Sequence, residues 1–197
     1  MLPFSDACER NKDPILGVLR EAFADRRRVV EIGSGTGQHA VYFARHLPYL
    51  AWQPTDLREH LEGLAARIAA EGPPDLAVPV ELDVLQAQWP PLTGDAVFSA
   101  NTLHIMSWPA VEALFAGLRR VLTGGGVLAI YGPFRYGGQF TTASNAAFDA
   151  MLRERDPDSG IREFEAVNAL AAAAGLELRA DHAMPANNRL IVWKGAG

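Results

Sequence analysis

Cysteine is nearly absent: Cys8 is the single thiol in 197 residues, so no internal disulfide can form and the paired spacings of structural zinc sites are missing. That suits a reducing compartment. No stretch reaches the roughly 18 to 20 apolar residues needed to span a bilayer, and the opening MLPFSDACERNKD lacks the apolar core of an export signal. Nothing argues for export or anchoring, so a cytoplasmic location without a membrane partner is expected. Positive charge is also scarce. Eighteen Lys and Arg against 23 Asp and Glu leave a formal net charge of −5, and the run Arg26-Arg27-Arg28 is too short to attract a phosphate backbone. A nucleic-acid partner is disfavoured.

What is present is hydrophobic content of 49%, enough for one substantial core. One domain over residues 1–197 is expected, with an N-terminal helical segment at 1–27 and an insertion at 133–160. Asp13 to Phe23 reads as a helix with Asp13 as N-cap, Pro14 in the first turn and Ile15, Val18, Leu19, Ala22 and Phe23 on one stripe. Strand and helix then alternate. A strand at Val29 to Ile32 leads through a glycine-rich turn to a helix ending near Leu47. A strand near Leu50 to Gln53 precedes a helix from about Leu57 to Ala70, and further strands are expected in LAVPVELD and DAVFSAN. Ser107 caps a helix that stops at Gly124-Gly125-Gly126 before the strand VLAIYG. After Gly132 the rhythm breaks into a segment rich in Gly, Asn, Ser and aromatics, with a short helix around Ala146 to Arg153. Insertions of this kind usually carry function. A helix from about Arg162 to Ala174 leads to two closing strands, LELRADH and RLIVWK, joined by AMPANN as an antiparallel hairpin. The alternation predicts an α/β fold with a mostly parallel sheet and helices on both faces.

The segment EIGSGTG, residues 31–37, closes the first strand and opens a helix. Gly33, Gly35 and Gly37 let backbone amides approach an anion at a helix N-terminus, while Glu31 sets a negative charge nearby. That pattern fits a zwitterionic, net cationic ligand such as S-adenosylmethionine, whose anionic end is its carboxylate. Asp56, about 20 residues beyond Gly37 and at the end of the second strand, can accept hydrogen bonds from both hydroxyls of a ribose. Asp83 ends the third strand and is expected to meet an adenine amino group, with Val84 against the ring face. Ser34, Gln38, Leu57 and Asn101 complete the expected cofactor set, and Arg10 and Asn11 close over it from the N-terminal segment. Any one of these acids, taken singly, reads more readily as a solvated loop residue. Four consecutive strand ends converging on one crevice are harder to assign to chance. A dinucleotide remains an alternative, because Gly35, Gly37 and Ala40 satisfy G-x-G-x-x-A and Asp56 suits an NAD ribose. Against it stand Gly33 as the first glycine and the closing hairpin, which leaves no second mononucleotide-binding half.

The pattern E-x-G-x-G-x-G, the acids after the second and third strands and the closing hairpin resemble the class I S-adenosylmethionine-dependent methyltransferases. More narrowly, ERNKDPIL, EIGSGTGQHAVYFA, WQPTD, YGPF, SNAAFDAMLRERDP, GIREFE and MPANN, in that order, resemble the methyltransferase-like family catalogued as domain of unknown function 938. The class resemblance implies a Rossmann-like seven-stranded sandwich with the last strand antiparallel, and S-adenosylmethionine bound at Glu31, Gly33, Gly35, Gly37, Asp56 and Asp83. The narrower resemblance locates a site without naming a reaction, and a non-catalytic cofactor-binding partner protein stays open beside an enzyme.

Amine methyltransferases of the class commonly carry (N/D)PP(Y/F) after the fourth strand, where this chain has Asn101-Thr102-Leu103-His104. The departure disfavours a nucleobase amine and points to a small polar or anionic metabolite accepting at O, N or S. Displacement at a sulfonium needs positioning above all. If a base is used, His104 is the first candidate and Tyr131 the second, although His104 reads equally as packing beneath the cofactor. Trp108 and the insertion, with Phe134 and Arg135, are expected to wall the acceptor pocket. Arg135 binds an acceptor carboxylate or phosphate or else forms a surface ion pair. Asn145 with Phe148, and Asn187 with Asn188, add amide hydrogen bonds, although Asn in a hairpin also serves αL geometry. The spacing of His39, His46, His60 and His182 nominates no metal site.

Overall fold

A computed structural model describes residues 2–196. Strands β1 (Arg28–Ile32), β2 (Ala51–Asp56), β3 (Val80–Glu81), β4 (Gly94–Ala100), β5 (Leu122–Gly132), β9 (Leu176–Met184) and β10 (Asn188–Gly195) form one sheet in the order β3-β2-β1-β4-β5-β10-β9. The strands from β3 to β5 pair in parallel, and β10 runs antiparallel to both β5 and β9. The seven-stranded sandwich with its last strand reversed is therefore present as expected.

Alternation along the strands sorts two cores. Val30, Ile32, Val97, Leu128, Ile130, Ile191 and Trp193 face α4 (Trp108–Val121) and α6 (Phe164–Ala173). The intervening Val29, Ala96, Phe98, Ala129, Leu190 and Val192 face α1 (Asp6–Ala22) and α2 (Gln38–His46). Burial on both faces is why the central strands read as nearly continuous apolar runs. The chain leaves β1 toward β2 on one side and β4 toward β5 on the other, so the crevice beyond the carboxyl ends of β1 and β4 is the switch point where such sheets take ligands. Among the described residues no helix is long and apolar enough to cross a membrane.

Several local expectations are corrected. The first helix begins at Asp6, with the Ser5 side chain accepting from the Cys8 amide, and Pro14 lies inside it. Pro14 leaves one carbonyl unpaired there, and burial of Ile15, Leu16 and Leu19 offsets the loss. The third strand is cut to two residues, since Pro79 cannot donate to a ladder. Helix α4 stops at Val121, and the three glycines belong to β5, where a register shift opposite Gly94 and Ala96 makes a bulge. The insertion holds more order than expected. Strands β6 (Phe134–Tyr136), β7 (Gln139–Phe140) and β8 (Arg162–Glu163) make a second sheet, and α5 (Ala143–Arg155) is longer than its apolar pattern suggests. Gly137 and Gly138, both at positive φ, form the two-residue turn between β6 and β7. Arg162 and Glu163 pair with β6, so α6 starts only at Phe164. Helix α3 (Arg58–Glu71) packs Leu64 beneath the glycine turn.

Candidate active site

The turn after β1 is fixed from below. Gly33 and Ser34 amides both donate to the Thr55 carbonyl, at 3.1 and 3.0 Å, and the Gly37 amide closes on the Ser34 carbonyl at 2.9 Å. A Cβ on Gly33, whose φ is +74°, would stand 2.7 Å from Thr102 Oγ1, so the turn and the loop after β4 touch only because that atom is missing. Gly37 is likewise pressed against Leu64. A Cβ on Gly35, whose φ is +54°, would meet nothing within 4 Å. Gly35 faces a cavity of about 940 Å³ that opens over the strand ends.

Carboxylates on this side are held by backbone amides. Asp56 accepts from the Gly35 amide at 2.5 Å and the Leu57 amide at 2.7 Å. Asp83 accepts from the Leu85 amide at 2.9 Å and from Gln86 at 3.0 Å. A carboxylate has about four lone-pair sites, so each stays able to receive a ligand donor in a fixed orientation. Asn101 adopts φ of +58° where β4 ends and its amide N–H donates to the Tyr131 carbonyl. Among the described residues its side chain has no hydrogen-bond partner.

Beyond Thr102 the same cavity continues between His104, Ile105 and Met106, Pro133, Ser144, Asn145 and Phe148 of α5, residues 186–188 of the hairpin, and Ser5, Ala7, Cys8 and Arg10 at the N-terminus. His104 is buried, its ring edge-on to Phe148 with centroids 5.5 Å apart. Burial, reinforced by the positive charges of Arg162 and Arg155, pushes its pKa down to about 4. The imidazole is thus neutral at pH 7. Asn145 uses both amide protons on Thr141 Oγ1 and the Asn187 carbonyl, and Asn187 donates to Ser144. These amides stitch α5 to the hairpin, and their oxygens remain available to a ligand.

Of the expected residues, Gly33, Ser34, Gly35, Asp56, Leu57, Asp83, Val84, Asn101, His104, Asn145, Phe148, Asn187 and Asn188 share the cavity, as does Arg10. The others do not line it. Glu31 lies behind the turn at 2% exposure, accepting from Trp52 Nε1 at 2.9 Å. Burial raises its carboxyl to about 7, against hydrogen bonds from Trp52 and Ser34 that lower it and with Asp56 adding repulsion. Gly37 serves packing. Gln38 clasps the N-terminus, accepting from the Ser5 amide and donating to Glu9. Asn11 pairs with His39 at 2.6 Å. Tyr131 is buried against α1, and burial raises its pKa, against the nearby Asn11 and Asn188 side chains, which lower it. A phenol held protonated in that place is no base for the cavity. Trp108 opens α4 and donates to Glu112, and Phe134 is core. Arg135 sits 2.8 Å from Glu163, off the line of a hydrogen bond, and over the Phe140 ring. The ion pair, and not an acceptor anion, holds it.

The lining also includes residues the sequence did not nominate, among them Thr36, His39, Thr102, Ile105 and Met106. The last two follow His104 directly, so the loop as a whole was the legible unit. His39 gave no signal, since only the α1–α2 packing brings it against Asn11.

The family described as Protein of unknown function (DUF938) matches residues 2–195. Among solved structures, an O-methyltransferase family protein from Burkholderia thailandensis aligns with 98% of this chain and 58% of its own, at 20% identity and a TM-score of 0.84. An O-methyltransferase family 2 protein from Planctomyces limnophilus, in complex with apigenin, covers 94% and 56% at 18% identity and a TM-score of 0.82. PigF with SAH covers 92% and 54% at 17% identity and a TM-score of 0.78. The chain thus spans somewhat over half the length of these proteins, and the likeness is one of fold.

Proposed function

The chain belongs to the family described as Protein of unknown function (DUF938), and from that premise we propose that it is an S-adenosylmethionine-dependent methyltransferase acting on a small molecule. One observation carries this: a single cavity runs from the open face of Gly35, past Asp56 and Asp83, to the wall made by His104, Met106 and Phe148. Its volume of about 940 Å³ lies near the top of the range for small-molecule sites, about 300–1,000 Å³. That leaves room for an acceptor beside a donor.

The residues on the glycine side fit S-adenosylmethionine. Asp56, oriented by the Gly35 and Leu57 amides, suits a pair of ribose hydroxyls, and Asp83 with Val84 and Leu85 an amino-bearing ring, whereas the amides of Gly33, Ser34, Gly35 and Gly37 are already bonded within the protein. When bound, the cofactor would supply an electrophilic methyl group on a sulfonium, with the neutral thioether S-adenosylhomocysteine as the leaving group. The chain's task is to orient the acceptor and exclude water. Glu31, buried behind the turn, adds a carboxyl that a cationic ligand would favour in its charged form.

On the other side, neutral His104 can hydrogen-bond the accepting group. With its proton affinity so depressed, it suits orientation better than general-base chemistry, which works best near the operating pH. The wall is mostly apolar, with amide oxygens at Asn145 and Asn187. The acceptor is a small, partly apolar compound accepting at O, N or S. Arg135 is committed to Glu163, and exposed Arg10 is the cation left for an anionic group.

Tritiated methyl donor incubated with the protein and a cell extract tests this. Label is expected in the low-mass organic fraction. Label confined to nucleic acid or protein contradicts the small-molecule acceptor, and no transfer while the donor binds contradicts catalysis.

A further inference from the structure

The loop after β4 carries His104, Ile105 and Met106 into the cavity, yet its own hydrogen bonds are few. Its amides close locally, Ile105 and Met106 N–H both donating to the Thr102 carbonyl at 3.0 and 3.2 Å. The next four carbonyls turn the other way. Leu103 O accepts from Arg162 Nε at 3.0 Å, His104 O from the Gly160 amide at 2.9 Å, Ile105 O from Ser159 Oγ at 3.2 Å, and Met106 O from Arg162 Nη2. Four consecutive carbonyls are met, one by one, by a segment more than 50 residues away.

We propose that the segment Ser159-Gly160-Ile161-Arg162 is a clamp for the acceptor wall, and that Arg162 is a positioning residue that holds His104 in the cavity. Arg162 is 8% exposed, and among the described residues no carboxylate lies within ion-pair distance of it. Its charge is met by the carbonyl oxygens of Leu103, Met106 and Asp158. A planar guanidinium reaches such diverging acceptors at once, which an ammonium does not. The clamp is itself anchored to α5. Asp149 Oδ1 accepts the Ile161 amide at 2.6 Å while Oδ2 pairs with Arg153 at 2.8 Å. Gly160 takes a φ of +150° that favours glycine, and a Cβ there would press on Arg153 Nη2 at 2.5 Å and Asp149 at 3.0 Å. Phe148, beside Asp149 in sequence, presents its ring to His104. The helix that anchors the clamp therefore also builds the wall that the clamp positions.

Loss of the clamp lets the loop relax and water reach the imidazole. The charged groups acting on His104 are Arg162 and Arg155, so a variant that merely deletes the Arg162 charge would also raise the His104 pKa. The test therefore compares Arg162→Gln with Arg162→Lys, which keeps the charge and loses the fork. Proton–carbon NMR of the histidine rings, with His104 assigned through His104→Gln, follows its titration in the full chain. Both variants are expected to titrate at least about one pH unit above the wild type. A rise in Arg162→Gln alone, or in neither, overturns the clamp. Should the Arg162 variants not fold, Ser159→Ala removes one hook. Exchange of the Ile105 and Met106 amides is then expected to quicken at least about fivefold while that of Gly35 is unchanged, and unchanged exchange overturns the proposal.

The wall's role toward an acceptor rests on the proposed methyl transfer. Calorimetry of the wild type with S-adenosylhomocysteine tests that reading separately, and the His104 titration reads the clamp whether or not this ligand binds.

Discussion

The two ends of the cavity are built by different means. On the glycine side, the contacts that shape the site run between neighbouring strand ends. Thr55 holds the turn, and Asp56 is oriented by the amides of Gly35 and Leu57. On the other side, a loop, a helix, a hairpin and the N-terminal segment meet through side-chain bonds to backbone over long sequence separations. Arg162 to Leu103 and Asn145 to the Asn187 carbonyl are examples, at separations of 59 and 42. A site fixed by the sheet presents one geometry. A site stitched from insertions can change its occupant by changing its stitches, and this is how one fold serves many acceptors.

The largest expected effect lies where the halves touch. Gly33→Ala places a methyl group 2.7 Å from Thr102 Oγ1 at a left-handed φ. Unfolding in urea should show a loss of about 3 kcal/mol, combining the backbone cost with overpacking. Adding Thr102→Ala should recover about half of it, and equal losses in the single and double variants would mean that the two halves do not meet there.

Next is Glu31→Gln, which retains an acceptor for Trp52 and removes the charge. In the fold the carboxyl titrates near 7 against an ordinary value of 4.5. The folded state therefore holds a proton that the unfolded chain releases between those values, and stability is lost as pH rises through that window. At pH 8 the variant should be more stable than the wild type, by about 2–3 kcal/mol, and below pH 4.5 about equal. An advantage that does not grow with pH would show that the carboxyl is not desolvated.

Gly35→Ala separates folding from binding. With nothing within 4 Å of its Cβ, the cost to stability should be only the left-handed backbone, about 1–2 kcal/mol. Affinity for S-adenosylhomocysteine should fall at least about tenfold, since the methyl group projects into the cavity. Smallest is Arg135→Met. It breaks a partly exposed ion pair with Glu163, for a loss under about 1 kcal/mol, and methyl transfer should be unaffected. A loss of transfer with unaltered stability would return Arg135 to the acceptor site.

The glycine side was legible because its chemistry is local: a strand, a turn only glycine can make, and acids at strand ends. The Ser107 cap was legible for the same reason. Direction was what the sequence concealed. Tyr131 near the end of β5 and Phe134 and Arg135 just beyond it lie close in sequence, yet one faces α1, one enters the core and one pairs with Glu163. Leaving the right strand end does not make a residue face the ligand. Glu31 was read correctly as an acid close to the turn and wrongly as one facing the cavity, since β1 directs it toward Trp52. Strands of two residues, such as β7 and β8, carry too little pattern to be seen. Arg162 stands within GIREFE, but its partners are loop carbonyls, which have no signature in side-chain identity.

The most direct test of the account is calorimetry of the wild type and Gly35→Ala with S-adenosylhomocysteine and with NAD. The account expects the wild type to bind S-adenosylhomocysteine and not NAD, and Gly35→Ala to lose at least about tenfold in that affinity. Binding of NAD alone, or S-adenosylhomocysteine binding equally to both proteins, would contradict it.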